Sequence, residues 1–326
     1  MVIPYARQSI SKLDLNAVAE VLQSDYLTQG PVVPAFEEAI AHLVAARFAV
    51  AGNSATSMLH IACLALGVTT GDLVWTSPIS FVASANCALY CGAEIDFVDI
   101  DSESFNMSPI ALAAKLELAK KSNRLPKVII PVHMGGQSCD MQAIGSLAQQ
   151  YGIKVIEDAS HAIGGTYNSQ RIGNCAHSDI TIFSFHPVKI ITTGEGGMAV
   201  TQDEGLAHSM RILRSHGITR DATEFEFGND GPWYYEQQEL GFNYRLTDIA
   251  AALGLSQLQR IDSFIHQRNS IASRYNEAFA STLVVTPHIA SKTISAFHLY
   301  IARCDFENLN VTRVQLFQKM KEMGVL

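Results

Sequence analysis

The chain has 326 residues, 48% of them hydrophobic and 17% charged, a balance that excludes a disordered polymer and leaves room for a large core beside a smaller second domain. Its 23 Lys and Arg against 31 Asp and Glu give a net charge of −8, and no basic stripe interleaved with aromatics interrupts it, which excludes a nucleic-acid binder. Neither a signal peptide nor an apolar run of membrane-spanning length is visible, so a cytoplasmic enzyme is expected.

Strand-like runs alternate with helical patterns from about residue 35 to about residue 215. The runs lie at 48–52, 73–77, 95–100, 127–133, 153–157, 179–185 and 198–201, with helices at 54–66, 81–91 and 141–151 among the connections. Near-continuous apolar strands joined by helices predict an α/β fold: one large domain with a seven-stranded, mostly parallel sheet covered on both faces. In such a sheet, ligands collect beyond the carboxyl ends of the strands. Polar residues recur at that edge.

After the first strand comes Asn53-Ser54-Ala55-Thr56-Ser57, small residues and hydroxyls at a helix start, where free backbone N–H groups and the helix dipole suit an anion. After the second, Phe81 offers an aromatic face. The fifth ends in Glu157-Asp158-Ala159-Ser160-His161, which puts a carboxylate where it keeps a ring nitrogen protonated. The sixth runs through Ser184, His186 and Lys189 into Thr192-Thr193-Gly194-Glu195-Gly196-Gly197. A lysine in this position sits beside any ligand at the edge, and burial lowers its pKa until the amine can form a Schiff base with an aldehyde. Taken singly, each motif has a plainer reading: ordinary caps for Ser54 and Asp158, local packing for His161, a core position for Phe81, a solvated surface for Lys189.

Further along, 219–235 reads as a long mobile loop, and Gly241-Phe242-Asn243-Tyr244-Arg245 precedes Thr247, an N-cap candidate for one long helix running to about Phe279. Asn243 and Arg245 serve an anion or merely cap and salt-bridge; the sequence leaves both open. An extended segment at 282–286, a strand at 296–302 and a helix after Asn310 read as the start of a smaller α/β domain that looks truncated, which divides the chain into 1–250 and 251–326. Six cysteines (Cys63, Cys87, Cys91, Cys139, Cys175, Cys304) show no CxxC spacing and read as free thiols rather than disulfides or a zinc site.

In order, LTQGP at 27–31, NSATS at 53–57, TSPISFVASAN at 76–86, PVHMGGQSCDM at 131–141, EDASHA at 157–162, SFHPVKIITTGEGG at 184–197, RSHG at 214–217 and GFNYRLTD at 241–248 resemble the sugar-nucleotide aminotransferase family, the DegT–StrS group. The resemblance covers nearly the whole chain. It implies an aspartate-aminotransferase-like fold, a homodimer with shared active sites, and pyridoxal 5'-phosphate as cofactor. It also implies site roles: Lys189 for covalent attachment and catalysis, Asp158 at the pyridine nitrogen, Phe81 stacked on the ring, and His161 near the ring oxygen. Ser54, Ala55, Thr56 and Ser184 fall on the phosphate, with Asn243 reaching it from the neighbouring subunit. Relatives with histidine in place of the lysine dehydrate their substrate; Lys189 implies transamination. Within the family, SFHPVK followed by TTGEGG resembles enzymes that aminate carbon 4. That implies a UDP-linked 4-keto-6-deoxy-N-acetyl sugar, as in pseudaminic acid biosynthesis, with glutamate as donor. Members generally run some tens of residues further, through a last strand and helix.

Three other classes are weighed against this. A regulatory homologue would keep the cofactor without turnover. A nicotinamide oxidoreductase lacks its GxGxxG after the first strand. A metal hydrolase built on His133, Asp140, Asp158 and His161 has no recognised ligand spacing.

Overall fold

The computed structural model describes residues 2–325. Its centre is a seven-stranded sheet formed by β1 (Phe48–Gly52), β2 (Leu73–Thr76), β3 (Glu94–Phe97), β4 (Val128–Ile130), β5 (Lys154–Asp158), β6 (Ile180–Ser184) and β7 (Gly197–Thr201), in the order β1-β7-β6-β5-β4-β2-β3. All pairs are parallel except those of β7, which runs against both neighbours, β1 and β6. The seven strands and the mostly parallel sheet expected from the sequence are therefore present, at nearly the expected positions.

Alternation along each strand divides the core. Ala49, Ala51, Phe183, Met198 and Val200 face one layer, where α2 (Val32–Val44) brings Phe36, Ile40 and Val44. Val50, Ile180, Ile182 and Ala199 face the other, against α3 (Ala55–Ala65) and α7 (Glu204–Leu213). A third cluster lies around Trp75, Ile129 and Val155, beneath α5 (Pro109–Lys121) and α6 (Met141–Tyr151). Because both faces are covered, the inner strands are largely apolar and read as near-continuous runs, whereas the edge strand β3 exposes Glu94 and Asp96. The cysteines are all free thiols, four of them buried. Among the described residues no helix is long and apolar enough to cross a membrane.

Two expectations fail. The helix from Thr247 is not continuous. Thr247 does cap it, accepting the N–H of Ala250, but α8 (Asp248–Leu258) stops and α9 (Ile261–Phe279) starts afresh. Between them Arg260 donates to the buried Asp14 of α1 (Lys12–Leu22) and to Ser9 O, while Ser256 and Gln257 bond the same Asp14 carboxylate. Docking on α1 fixes the end of α8. The next helix then turns to lay Ile261 and Ile265 on Gly164, whose absent side chain leaves room for them. No proline or glycine marks the break, so only the tertiary contacts reveal it.

The second failure is the strand expected at 296–302. Ala296 and Leu299 donate their N–H groups to Gly136 O (2.9 Å) and Gly135 O (3.1 Å), and Phe297 turns to a φ of +43°, so the segment wraps a turn instead of extending. The strand forms later, at Arg303–Cys304, paired with Val284–Val285. A helix after Asn310 is present at Arg313–Glu322. Within the 219–235 segment, the N–H groups of Glu226 and Phe227 donate to the Glu236 carboxylate at 2.6 and 3.0 Å.

Candidate active site

The carboxyl ends of β1, β5 and β6 open into one cavity of about 860 Å³. Ser54, Ala55, Thr56, Phe81, Asp158, His161, Ser184 and Lys189, all singled out in the sequence, line it. Asn243 does not: its side chain is exposed, while its backbone oxygen accepts from Asn53 Nδ2 at 3.4 Å.

The floor is built from strand ends. Ser54 takes an extended backbone and caps α3, accepting the N–H of Ser57 at 3.1 Å and lying 2.8 Å from the Ser57 hydroxyl. The first-turn N–H groups of Ala55 and Thr56 have no acceptor inside their own helix. They sit close over β7, because a Cβ on Gly197 would lie 2.4 Å from Ala55 N. Any larger residue at 197 would lift the helix start off the sheet. Ser184 pairs with Gly197 in register and so stands beside that start.

Asp158 ends β5 and is buried. Its Oδ2 accepts from Ser84 Oγ at 2.6 Å, and Oδ1 from Ser160 N at 3.1 Å. Ser84 was not anticipated. It lies in the first turn of α4 (Ala83–Tyr90), which follows Phe81 directly. Phe81 itself is 68% exposed, on the cavity wall and not in the core.

Lys189 stands on a tight turn whose N–H donates to His186 O at 2.9 Å. The Thr-Thr-Gly run behind it is pinned to the strand end. Thr192 Oγ1 donates to Phe185 O at 2.9 Å, and Gly194, at a φ of +83°, donates to Thr192 Oγ1. The lysine is half-buried, and burial moves its ammonium pKa downward while the Asp158 charge opposes this. A neutral amine is thereby brought nearer to physiological pH. His161 is pushed down to about 4 by burial and then by the Lys189 charge.

Tyr5 of the N-terminal arm, Met134, Glu195 and His298 also line the cavity and were missed. His298 is remote in sequence from every motif, and nothing local could have pointed to it. His186 is exposed, 3.9 Å from the Glu195 carboxylate. Arg245 points instead into a neighbouring cleft with Gln29, Arg211 and Arg214, where it donates to Ser215 Oγ at 3.3 Å.

Three of the four residues weighed for a metal site, His133, Asp140 and Asp158, have other partners, and His161 keeps its buried Nδ1 without one. His133 Nε2 lies 2.7 Å from Glu157 Oε2, and its Nδ1 accepts the Cys139 N–H at 3.1 Å. Asp140 caps α6 and accepts from Tyr167 at 2.7 Å. Among the described residues no group of three or more His, Cys, Asp or Glu could hold a metal.

A buried carboxylate, an amine of lowered pKa, an aromatic wall and a helix start with free N–H groups thus converge on one cavity. The profile of the DegT/DnrJ/EryC1/StrS aminotransferase family matches residues 8–326. The spore coat polysaccharide biosynthesis protein SpsC of Bacillus subtilis is 40% identical over 98% of this chain and 80% of that protein. The UDP-4-amino-4,6-dideoxy-N-acetyl-beta-L-altrosamine transaminase of Campylobacter jejuni is 37% identical over 99% of this chain and 82% of its own. Among solved structures, Helicobacter pylori PseC, an aminotransferase involved in the biosynthesis of pseudoaminic acid, superimposes with a TM-score of 0.90 at 30% identity, covering 99% of this chain and 83% of PseC. Spr1654 of Streptococcus pneumoniae in its PLP form gives 0.87 at 28% identity, covering 99% and 83%.

Proposed function

This chain belongs to the DegT/DnrJ/EryC1/StrS aminotransferase family, and from that premise we propose that it moves an amino group from glutamate to carbon 4 of a nucleotide-linked 4-keto-6-deoxy sugar. It is an aminotransferase that works with pyridoxal phosphate. The single observation that carries the proposal is the convergence of Lys189, Asp158 and the Ser54 helix start on one cavity.

The side chains fit that cofactor. Gly197 leaves the space that sets Ala55 N and Thr56 N at the cavity, where with Ser54 and Ser184 they would hold the phosphate. Phe81 would cover the ring. When bound, the cofactor supplies an aldehyde to exchange amino groups and an electron sink for the charge left on the donor carbon. Asp158, fixed by Ser84 and Ser160, would hold the proton on the ring nitrogen. Lys189 would anchor the cofactor and, once displaced, its Nζ would take and return the proton at the donor's α-carbon; the downward pKa keeps that amine competent as a base.

The carbon-4 assignment draws on the SFHPVK and TTGEGG segments and on the Campylobacter and Helicobacter relatives, and with them the UDP-linked N-acetyl sugar of altrosamine type. The homologue named for spore coat polysaccharide favours a different keto-sugar as the second reading. A cytoplasmic homodimer belongs to the same proposal. Asn243 is exposed and off its own cavity wall, and Tyr5 and Phe81 leave apolar surface uncovered on that wall, as a second copy would require.

The test is the visible spectrum of the purified holoenzyme with and without glutamate, followed by a panel of keto-sugar nucleotides. Glutamate should convert the bound cofactor to its amine form and a UDP-linked 4-keto sugar should restore it. No response to glutamate would sink the donor assignment, and restoration only by 3-keto sugars would sink the carbon-4 assignment. Mixing Lys189→Ala with Asn243→Ala chains should recover activity if Asn243 acts across the interface; no recovery removes it from the shared site.

A further inference from the structure

Asp158 is held by its backbone as well as by its carboxylate. Its N–H donates to Pro131 O at 2.9 Å and its carbonyl accepts the His133 N–H at 3.0 Å, so the segment just beyond β4 grips the last residue of β5. On the other flank Ala159 N donates to Ile182 O of β6 at 2.9 Å. A shift of 131–133 along the sheet must therefore be felt at Asp158.

That segment has already left its strand, and a turn at Gly135 and Gly136, with φ of +68° and +110°, follows at once. The His133 ring is what anchors it to β5. Its Nε2–H goes to Glu157 Oε2, its Nδ1 accepts the Cys139 N–H, and Cys139 Sγ donates to Val132 O at 3.2 Å. Glu157 is fixed in turn by the hydroxyls of Ser178 and Thr181. Asn106 holds the loop farther on, through Met134 N, Gln137 O and Ser138 O, but those bonds do not reach β5. Successive residues of a strand face opposite sides of the sheet, so Glu157 and the clamp around it lie away from the Asp158 carboxylate. Val132 and Met134 line the cavity, while His133 between them is wholly buried behind it.

We propose that His133 is a positioning residue: clamped between Glu157 and Cys139, it fixes the backbone of Asp158 and with it the direction of the carboxylate that meets the cofactor's ring nitrogen. The inference rests on the assignment of Asp158 to that nitrogen. A carboxylate turned slightly off line leaves the fold intact but weakens the hydrogen bond on which the ring proton depends.

The experiment loads the protein with pyridoxal phosphate carrying 15N in its ring and reads the ring-nitrogen resonance, which separates a protonated from an unprotonated ring. Cofactor affinity and the unfolding midpoint of the cofactor-free chain are measured beside it. His133→Phe keeps a ring in the core and removes both of its hydrogen bonds. Its ring nitrogen should move toward the unprotonated position, and the cofactor should bind about five- to tenfold more weakly. His133→Gln, whose amide N–H can reach Glu157, should return the resonance close to that of wild type. A ring nitrogen as protonated in His133→Phe as in wild type overturns the proposal, because a merely structural role lowers the midpoint and leaves the resonance alone. A His133→Gln resonance as displaced as that of His133→Phe also overturns it. Independently of any variant's folding, the His133 Nε2–H resonance of the wild-type chain should shift when pyridoxal phosphate is added, and a resonance that stays in place counts against the proposal in the same way. Asp158→Asn tells the two assignments apart: if that substitution leaves the ring nitrogen protonated, it is the placement of Asp158 that fails.

Discussion

Two histidine environments at the same sheet edge make an instructive pair. His133, just beyond β4, is wholly buried and both its nitrogens are engaged, by the Glu157 carboxylate and by the Cys139 N–H. A backbone N–H only donates, so Nδ1 carries the lone pair and Nε2–H is given to Glu157. That carboxylate also takes the hydroxyls of Ser178 and Thr181, and these donors hold it below the ordinary carboxylate range although burial works in the opposite direction. Beyond β5, His161 faces His298, and each keeps a buried nitrogen without partner. Most buried polar groups are paired, and each exception calls for a specific reason; in these two rings the unpartnered nitrogens lie beside the cavity. The first region stabilises the edge, and the second is left unfinished.

The comparison is sharpened by experiments that treat the two regions differently. The largest effect is expected at Lys189. Lys189→Ala should lower turnover by more than about 10³-fold and abolish the visible absorbance of the attached cofactor, with the unfolding midpoint of the cofactor-free chain little changed. A retained absorbance band in that variant contradicts the assignment.

Next comes Glu157→Ala, on the finished side. It strands the donors of His133, Ser178 and Thr181 in the core, and should cost about 3 kcal/mol of stability by denaturant titration. A loss below about 1 kcal/mol would mean that the network is not what holds this edge.

Acid separates the two regions as well. The folded pKa of His161, about 4, lies below that of an unfolded histidine near 6.5, burial being the first cause and the Lys189 charge the next. The unfolded chain therefore binds more protons between those values, and stability falls as the pH drops from about 6.5 towards 4. In His161→Asn, stability should decline by about 2 kcal/mol less than in wild type between about pH 7 and pH 4.5. An identical pH slope in the two proteins would show that His161 does not titrate in this way.

The smallest effect is expected at Ser84. Ser84→Ala removes one of the two hydrogen bonds on the Asp158 carboxylate and should lower kcat about five- to tenfold, with the KM for glutamate nearly unchanged. A change confined to KM would place Ser84 in binding instead.

Much of the edge was legible in advance because it is assembled from strand ends. Once the apolar runs were recognised as parallel strands, Ser54, Asp158 and Ser184 had to emerge at a common edge, whatever the details of the helices between them. The run of glycines after Lys189 was equally informative: Gly194 needs its left-handed φ, and Gly197 needs to lack a side chain under Ala55. Local chemistry dictates such positions, and it is written at the position itself. The sequence by itself thus determined the sheet, its ligand-bearing edge and the residues each strand delivers there, since alternation, turn chemistry and capping act over a few neighbours. Only the tertiary structure decided that α8 breaks where Arg260 meets Asp14, that 296–299 becomes a strap on Gly135 and Gly136 rather than a strand, and that His298 comes to lie against His161. Those outcomes turn on contacts between segments far apart in the chain, whose energies no local pattern encodes.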